Sequence, residues 1–178
     1  MADHTDNALR AAIRALDEVI YDAIDPNHPL AHEQTKLVSK YLQLILSRHA
    51  YAHDRHQFEL SHYIEMSEQV KVDANLVSPA ISLALDETLA KARELQKLSS
   101  TRDFDLQACS QKLAALLTAL VRTTATVDHE LRKRIEKVIL SGSKAFLDAQ
   151  RAWFLPQGWE SKPEMVPPIG QVFQMNDR

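Results

Sequence analysis

The chain has 178 residues, of which 45% are hydrophobic and 25% are charged, and its formal net charge is −3 with a pI near 6.2. This length suits one domain, and the apolar fraction is enough to form a core without metal or disulfide staples. The slight excess of acidic residues gives no electrostatic reason to expect nucleic acid or an anionic membrane as a partner.

Cysteine content and apolar runs indicate the compartment. Cys109 is the only cysteine, so the chain cannot form an internal disulfide, which suits a reducing cytoplasm. Residues 1–6 contain no basic patch followed by an apolar stretch, unlike a secretory signal. The longest apolar stretch, residues 113–121, is far shorter than the ~20 residues that a membrane-spanning helix needs. We therefore expect a cytoplasmic protein without a membrane span.

Glycine and proline are scarce over most of the chain. The first glycine is Gly142, and Pro79 is the only proline between Pro29 and Pro156. Because these two residues punctuate loops, their scarcity predicts helices joined by few, short turns. We predict an all-α fold, an antiparallel helical bundle of four to six helices of which two are long.

Two helices are predicted in the first 70 residues. Apolar residues at spacings of three and four predict a first helix over residues 7–24, which ends at the prolines of the segment 25–29. From residue 30 to about residue 70 the pattern stays helical, a length of ~60 Å if the helix is unbroken. The predicted core-facing arc of this long helix consists of Val38, Tyr41, Leu42, Ile45, Ala52, Leu60, Tyr63 and Val70.

A short helix and a second long one follow. Asp73 and Asn75 precede the third helix, predicted over residues 76–98 with Pro79 in its first turn. An apolar stripe then runs from Leu106 to Trp153, which a straight helix could hold only with a length of more than ~70 Å. We expect a break at residues 123–126, where threonines lower the helix propensity, and a kink at residues 141–143.

The last 23 residues have a different composition, with four of the seven prolines and two of the three glycines. We predict a single bundle domain over residues 1–155, and an extended proline-rich arm over 156–178 that packs on the bundle or on a neighbouring subunit. The arm is too apolar for a disordered tail, and its predicted interaction residues are Trp159, Ile169 and Phe173. Because the long helices would leave apolar surface uncovered, we also predict a twofold homodimer.

Four of the eight histidines lie within residues 48–62. His49, His53 and His56 follow the spacing i, i+4, i+7 and continue the predicted core arc, with Arg48 and Glu59 at its edge. Buried imidazoles need hydrogen-bond partners, so these five residues are candidates for the lining of a polar ligand pocket. His49 and His53, one turn apart, could bind a divalent metal together with ligands from other helices. Alternatively, the histidines are satisfied interior or interface groups, or the helix bends here and admits water.

Sequence motifs for catalysis are incomplete. Glu59 and His62 have the spacing that di-iron carboxylate bundles use twice, but here it occurs once, so we do not expect a di-metal centre. Phosphate loops, dinucleotide fingerprints and nucleophile elbows do not occur. Cys109, between Leu106 and Leu113 on the late stripe, is interpreted as a core residue.

These patterns favour a non-enzymatic accessory or protein-interaction protein that forms a homodimer and binds a protein partner through its helices and arm. No cofactor and no nucleic-acid partner are expected. The alternative is a protein that binds a small ligand, or uses a metal, at the histidine-rich segment around His53.

Overall fold

The computed structural model describes residues 4–98 and 100–174, and these residues form helices and turns without a β-strand. Helix α1 covers His4–Ala15 and continues through a π-helical segment, Leu16–Ile20, and an α-helical turn, Tyr21–Ala23. The other α-helices are α2 (Pro29–Arg48), α3 (Ala52–Val77), α4 (Pro79–Lys97), α5 (Asp103–Thr123), α6 (His129–Phe154) and α7 (Ile169–Gln174). The all-α class is confirmed, and six of the described helices have at least 12 residues, within the predicted range.

Prolines and capping side chains that are visible in the sequence determine where several helices begin. Pro29 and Pro79 occupy the first turns of α2 and α4, where a missing amide proton has no cost. Ser78 caps α4, because its hydroxyl oxygen accepts a hydrogen bond from the Ile81 amide at 3.4 Å. Asp128 caps α6 in the same way, accepting from the amides of Glu130 at 3.0 Å and Leu131 at 3.1 Å.

Breaks in the long helices are partly where the sequence predicted them. The break at residues 123–126 is confirmed, because a 3₁₀ turn at Thr124–Thr126 separates α5 from α6. Helix α6 runs through Gly142 without interruption. The expectation that the second helix ends near residue 70 is wrong, because α3 continues to Val77 and Asp73 binds Arg134 at 2.8 Å from within it. The same predicted helix is interrupted at His49–Tyr51 by a 3₁₀ turn.

Contacts divide the chain into two compact units. Unit 1 contains the described residues up to Ala50 together with Trp153–Val166. Unit 2 contains Tyr51–Ala152 and the described residues from Pro167 onward. The segment predicted as an arm is shared between the units, and it includes a 3₁₀ turn at Pro163–Met165 and helix α7. The domain boundary at residue 155 stays a prediction.

The core of unit 2 is built from α3, α4, α5 and α6. Its fully buried large side chains include Leu60, Leu85, Leu113, Leu120 and Ile135. Cys109 is buried among them, as the sequence indicated, and its burial raises the pKa of the thiol.

Gly142 permits a close approach between α3 and α6. A Cβ atom at this position would overlap Sδ and Cγ of Met66, which is itself buried. The absence of a side chain at residue 142 therefore lets the buried thioether of Met66 lie directly against the backbone of α6.

Candidate functional site

Two of the five predicted pocket residues lie in unit 1, at the end of α2. Nε2 of His49 lies 2.5 Å from Oδ1 of Asp6, on α1, and both side chains are about two-thirds buried. The Arg48 guanidinium donates from Nε to the carbonyl oxygen of Trp153 at 2.9 Å. These contacts join α2 to the first helix and to the returning chain within the same unit.

The other three predicted pocket residues lie in unit 2, on α3. His53 is exposed, and its Nδ1 lies 2.6 Å from Oδ1 of Asp103, at the start of α5. Glu59 accepts a hydrogen bond from Nε of Arg55, four residues earlier, at 2.8 Å. His56 is half-buried, and its Nδ1 is buried without a hydrogen-bond partner in the described part of the chain.

The predicted interior position of His53 is wrong, whereas His49 and His56 are half-buried. His53 lies seven residues before the fully buried Leu60, and so on the same side of α3, but it is the second residue of that helix and is exposed there. Over residues 4–98 and 100–174, no group of three or more His, Cys, Asp or Glu side chains is arranged to hold a metal ion. A ligand-pocket or metal role for these residues stays a prediction.

The three predicted interaction residues of the C-terminal segment have different surroundings. Trp159 is 68% exposed, and its ring stacks on Phe154 with a centroid distance of 6.0 Å. Ile169 is half-buried at the start of α7. Phe173 is buried against Phe58 of α3, with ring centroids 5.5 Å apart. Of the three side chains, only that of Trp159 is largely open to solvent.

Exposed apolar side chains are concentrated in unit 1. Among its described residues, two hydrophobic residues are buried, Leu44 and Val166. Ten large hydrophobic residues of the same unit are exposed: Val19, Ile20, Leu30, Leu37, Val38, Tyr41, Ile45, Phe154, Trp159 and Met165. Unit 2, over its described residues, buries 19 hydrophobic residues and exposes seven large ones. Concentrated apolar exposure of this kind marks interaction sites more often than chance.

Five of the exposed residues share one side of α2, which we call the α2 apolar face. It consists of Leu30, Leu37, Val38, Tyr41 and Ile45. At ~100° per residue they fall within an arc of ~100°, the usual width of a helix face that packs on another element. Each of these side chains is at least 41% exposed.

The exposure of the α2 apolar face follows from the way α2 packs on α1. Ser39 is buried and Leu46 is half-buried on the opposite side of α2, whereas the half-buried Leu42 and the buried Leu44 lie at the two edges of the face. Helices α1 and α2 are in contact, so α2 directs this narrower side towards its neighbour. The sequence-based arc placed Val38, Tyr41 and Ile45 in the core, and this assignment is wrong.

Charged residues lie beside the α2 apolar face. Glu33 and Lys40 are exposed, and their spacing of seven residues places both along the same edge of the face. Lys36 lies elsewhere, with its ammonium nitrogen 4.8 Å from the centre of the Tyr21 ring. The edge therefore presents a carboxylate and an ammonium group two helical turns apart.

Unit 2 contains a cavity of about 460 Å³ between α3, α5 and α6. Its wall is mostly apolar and includes Met66, Leu117, Val121, Ile139 and Phe146. Of these five residues only Phe146 belongs to a predicted apolar stripe. The cavity could not be predicted from the sequence, because helical periodicity gives no information about how completely facing side chains fill the space between helices.

Comparison with known proteins found no match among protein-family models, curated proteins or solved structures. Within residues 4–98 and 100–174, no helix has both the length and the apolar character needed to cross a membrane. The functional interpretation therefore depends on the surfaces described above.

Proposed function

We propose that this protein is a protein-interaction module whose α2 apolar face binds a second copy of the same chain. The observation that carries the proposal is the exposure of five large apolar side chains on one face of a 20-residue helix. Burying a Leu, Ile or Val side chain contributes about 1.5–3 kcal/mol, so an uncovered face of this size favours association.

Unit 1 gives a further reason for a partner. Its two long helices and returning segment bury only two hydrophobic residues among those described, and a pair of helices has little stability without an apolar face packed against something. A second α2 has the same apolar chemistry, and twofold packing would cover both faces at once.

Charge complementarity supports a second copy as the occupant. In an antiparallel α2–α2 pair related by a twofold axis, equivalent edges of the two helices adjoin. A pairing centred between residues 36 and 37 places Glu33 of each chain beside Lys40 of the other, because the two positions lie symmetrically about that centre. The same register directs Leu37 of one chain towards Leu37 of the other. The carboxylate–ammonium pair therefore forms twice in the dimer.

The dimer is expected to be of moderate affinity. Helix α2 has 20 residues and is ~30 Å long. With a contact width of ~10 Å its face covers ~300 Å², less than the ~800 Å² per partner of a standard interface. Additional exposed apolar residues of unit 1 could enlarge the contact. We expect dissociation in the micromolar range.

The test is the concentration dependence of molar mass, measured by sedimentation equilibrium between about 1 and 200 μM. The wild-type chain should move from 20.2 kDa towards twice that mass. Ile45→Glu should remain at the monomer mass throughout, because the dimer would bury an unpaired carboxylate. Leu140→Glu is the matched control, since Leu140 is 73% exposed on another helix and lies outside the α2 apolar face.

Charge reversal tests the identity of the occupant. Glu33→Lys should weaken self-association about three- to tenfold, because it places like charges beside each other twice. The double variant Glu33→Lys/Lys40→Glu should restore the wild-type affinity. A wild-type chain that stays at 20.2 kDa at every concentration, or an equal loss in Leu140→Glu, would contradict the proposal.

We also propose that the protein works in the reducing cytoplasm, where its dimer would have to form without a disulfide. Cys109 is free and buried in unit 2, so it offers no thiol for a disulfide between chains. Self-association should accordingly be the same with and without reductant, and a dimer lost on reduction would count against it.

A further inference from the structure

We infer that the cavity between α3, α5 and α6 in unit 2 binds a small apolar carboxylate, with Arg122 as the partner of its carboxylate group. This site is separate from the α2 apolar face, which belongs to unit 1. The inference goes beyond the proposed self-association, and neither depends on the other.

The cavity has the size and wall chemistry of a site for an apolar molecule. Its volume of about 460 Å³ falls within the range of ~300–1,000 Å³ that small-molecule sites occupy. Met66, Leu117, Val121, Ile139 and Phe146 supply aliphatic and aromatic contacts. An aliphatic chain of about ten carbons would replace water against these side chains, which favours binding through the hydrophobic effect.

Two hydroxyl groups in the wall are already satisfied by their own helices. Thr118 donates to the carbonyl oxygen of Ala114 at 2.8 Å. Ser143 donates to the carbonyl oxygen of Ile139 at 2.7 Å. Neither hydroxyl hydrogen therefore requires a polar ligand atom, and the body of the ligand can be a hydrocarbon.

Arg122 determines the charge of the ligand. It is the one charged side chain among the residues that line the cavity, and it is exposed at the opening. Arg122 makes no ion pair with any residue in the described ranges of the chain. A guanidinium beside an apolar wall is complementary to a carboxylate attached to an apolar body, because it can donate two parallel hydrogen bonds to the two oxygens.

Tyr63 contributes a second donor at the wall. A phenol is protonated at neutral pH, and desolvation, assisted by the negative charge of Glu59, raises the pKa of this one further. Its ring packs on Phe146 with centroids 4.6 Å apart, which fixes the position of the hydroxyl. A protonated phenol can donate to a carboxylate oxygen or to ordered water beside it.

The experiment is calorimetric titration of the full chain with decanoate, below the concentration at which decanoate forms micelles, with decanol as the uncharged match. We expect decanoate to bind at least tenfold more tightly than decanol. Arg122→Gln should remove most of this difference, weakening decanoate about tenfold and changing decanol less than twofold. Lys112→Gln, an exposed cation on the same helix that does not line the cavity, is the matched control and should change neither.

Blocking the opening provides an independent test. Thr118 is exposed at the wall, so Thr118→Trp should cover the cavity with little effect on the core and weaken both ligands at least tenfold. Far-ultraviolet circular dichroism and the melting temperature establish that the variant is folded, and Thr118→Val should retain binding of both ligands. The inference is overturned if decanoate fails to bind at 1 mM, or if it binds equally well to Arg122→Gln. It is also overturned if Thr118→Trp abolishes self-association, because the cavity would then hold a segment of a second copy.

Discussion

The two units use their apolar residues in opposite ways. Over the described residues, unit 2 buries 19 hydrophobic residues and exposes seven large ones, whereas unit 1 buries two and exposes ten. Four helices enclose a common core in unit 2, so each covers the apolar stripe of its neighbours. In unit 1, only α1, α2 and the returning segment are available to cover one another's apolar side chains. The comparison indicates that unit 2 is the stable part of the chain and that unit 1 provides its interaction surface.

The polar contacts of the two units differ as well. In unit 1 the pair of His49 and Asp6 is mostly buried, with side chains 29% and 34% exposed. In unit 2 the pair of His53 and Asp103 is half exposed, with corresponding values of 49% and 48%. Unit 1, which lacks a large core, therefore has the better shielded of the two histidine–carboxylate contacts.

The largest expected effect is the loss of a core side chain from unit 2. Leu113 is 0% exposed, so Leu113→Ala should lower the free energy of unfolding by about 2–5 kcal/mol through lost burial and a cavity. Leu37→Ala, in the α2 apolar face, should change it by less than about 0.5 kcal/mol at concentrations where the chain is monomeric. Urea denaturation followed by circular dichroism measures both. If both variants lost the same free energy of unfolding, unit 1 would have a core of its own, and the contrast between the two units would be wrong.

An intermediate effect is expected from overpacking at Gly142. Gly142→Ala would force its new methyl group into Met66, and it should cost about 1–3 kcal/mol of stability in spite of the better helix propensity of alanine. The double variant Gly142→Ala/Met66→Ala should be less destabilised than the sum of the two single variants, because the smaller side chain makes room for the methyl group. Thermal unfolding measures this coupling. Additive effects would show that Met66 does not hold the two helices at this separation.

The smallest expected effect concerns the histidine–carboxylate contact in each of the two units. A double-mutant cycle with Asp6→Ala and His49→Ala should give a coupling of about 0.5–1 kcal/mol at pH 6, since the contact is short and partly shielded from water. The corresponding cycle for Asp103 and His53 should give less than about 0.5 kcal/mol, because solvent screens an exposed pair. Urea denaturation provides the energies. The reverse order would mean that solvent exposure does not determine the strength of these contacts.

Several elements could be predicted because their signals are local. Pro29 and Pro79 fix helix starts through their missing amide protons, and the threonine run 123–126 lowers helix propensity where the chain turns. The stripe of the late helices was also predicted, and Leu106, Cys109, Leu113 and Leu120 are buried along it. In these cases one helix face carries nearly all the apolar residues, so periodicity alone identifies the buried side.

The α2 side chains show where that approach fails. Tyr41 and Ile45 are more apolar than Ser39, yet Ser39 is buried and they are exposed. Helix α2 has apolar residues on two sides, and periodicity cannot tell which side faces α1. His53 was assigned to the interior because it shares a side of α3 with the buried Leu60, but it occupies the first turn of that helix and lies at the surface with Asp103.

The sequence by itself determined the all-α class, most helix boundaries and the buried stripe of the late helices, because backbone chemistry and hydrophobic periodicity act within a few residues of each position. Only the tertiary structure decided which side of α2 is covered, which carboxylate each histidine meets, and that a cavity remains beside Arg122. These features depend on contacts between residues far apart in the chain, and their geometry is set by how helices of particular lengths and side-chain volumes pack together.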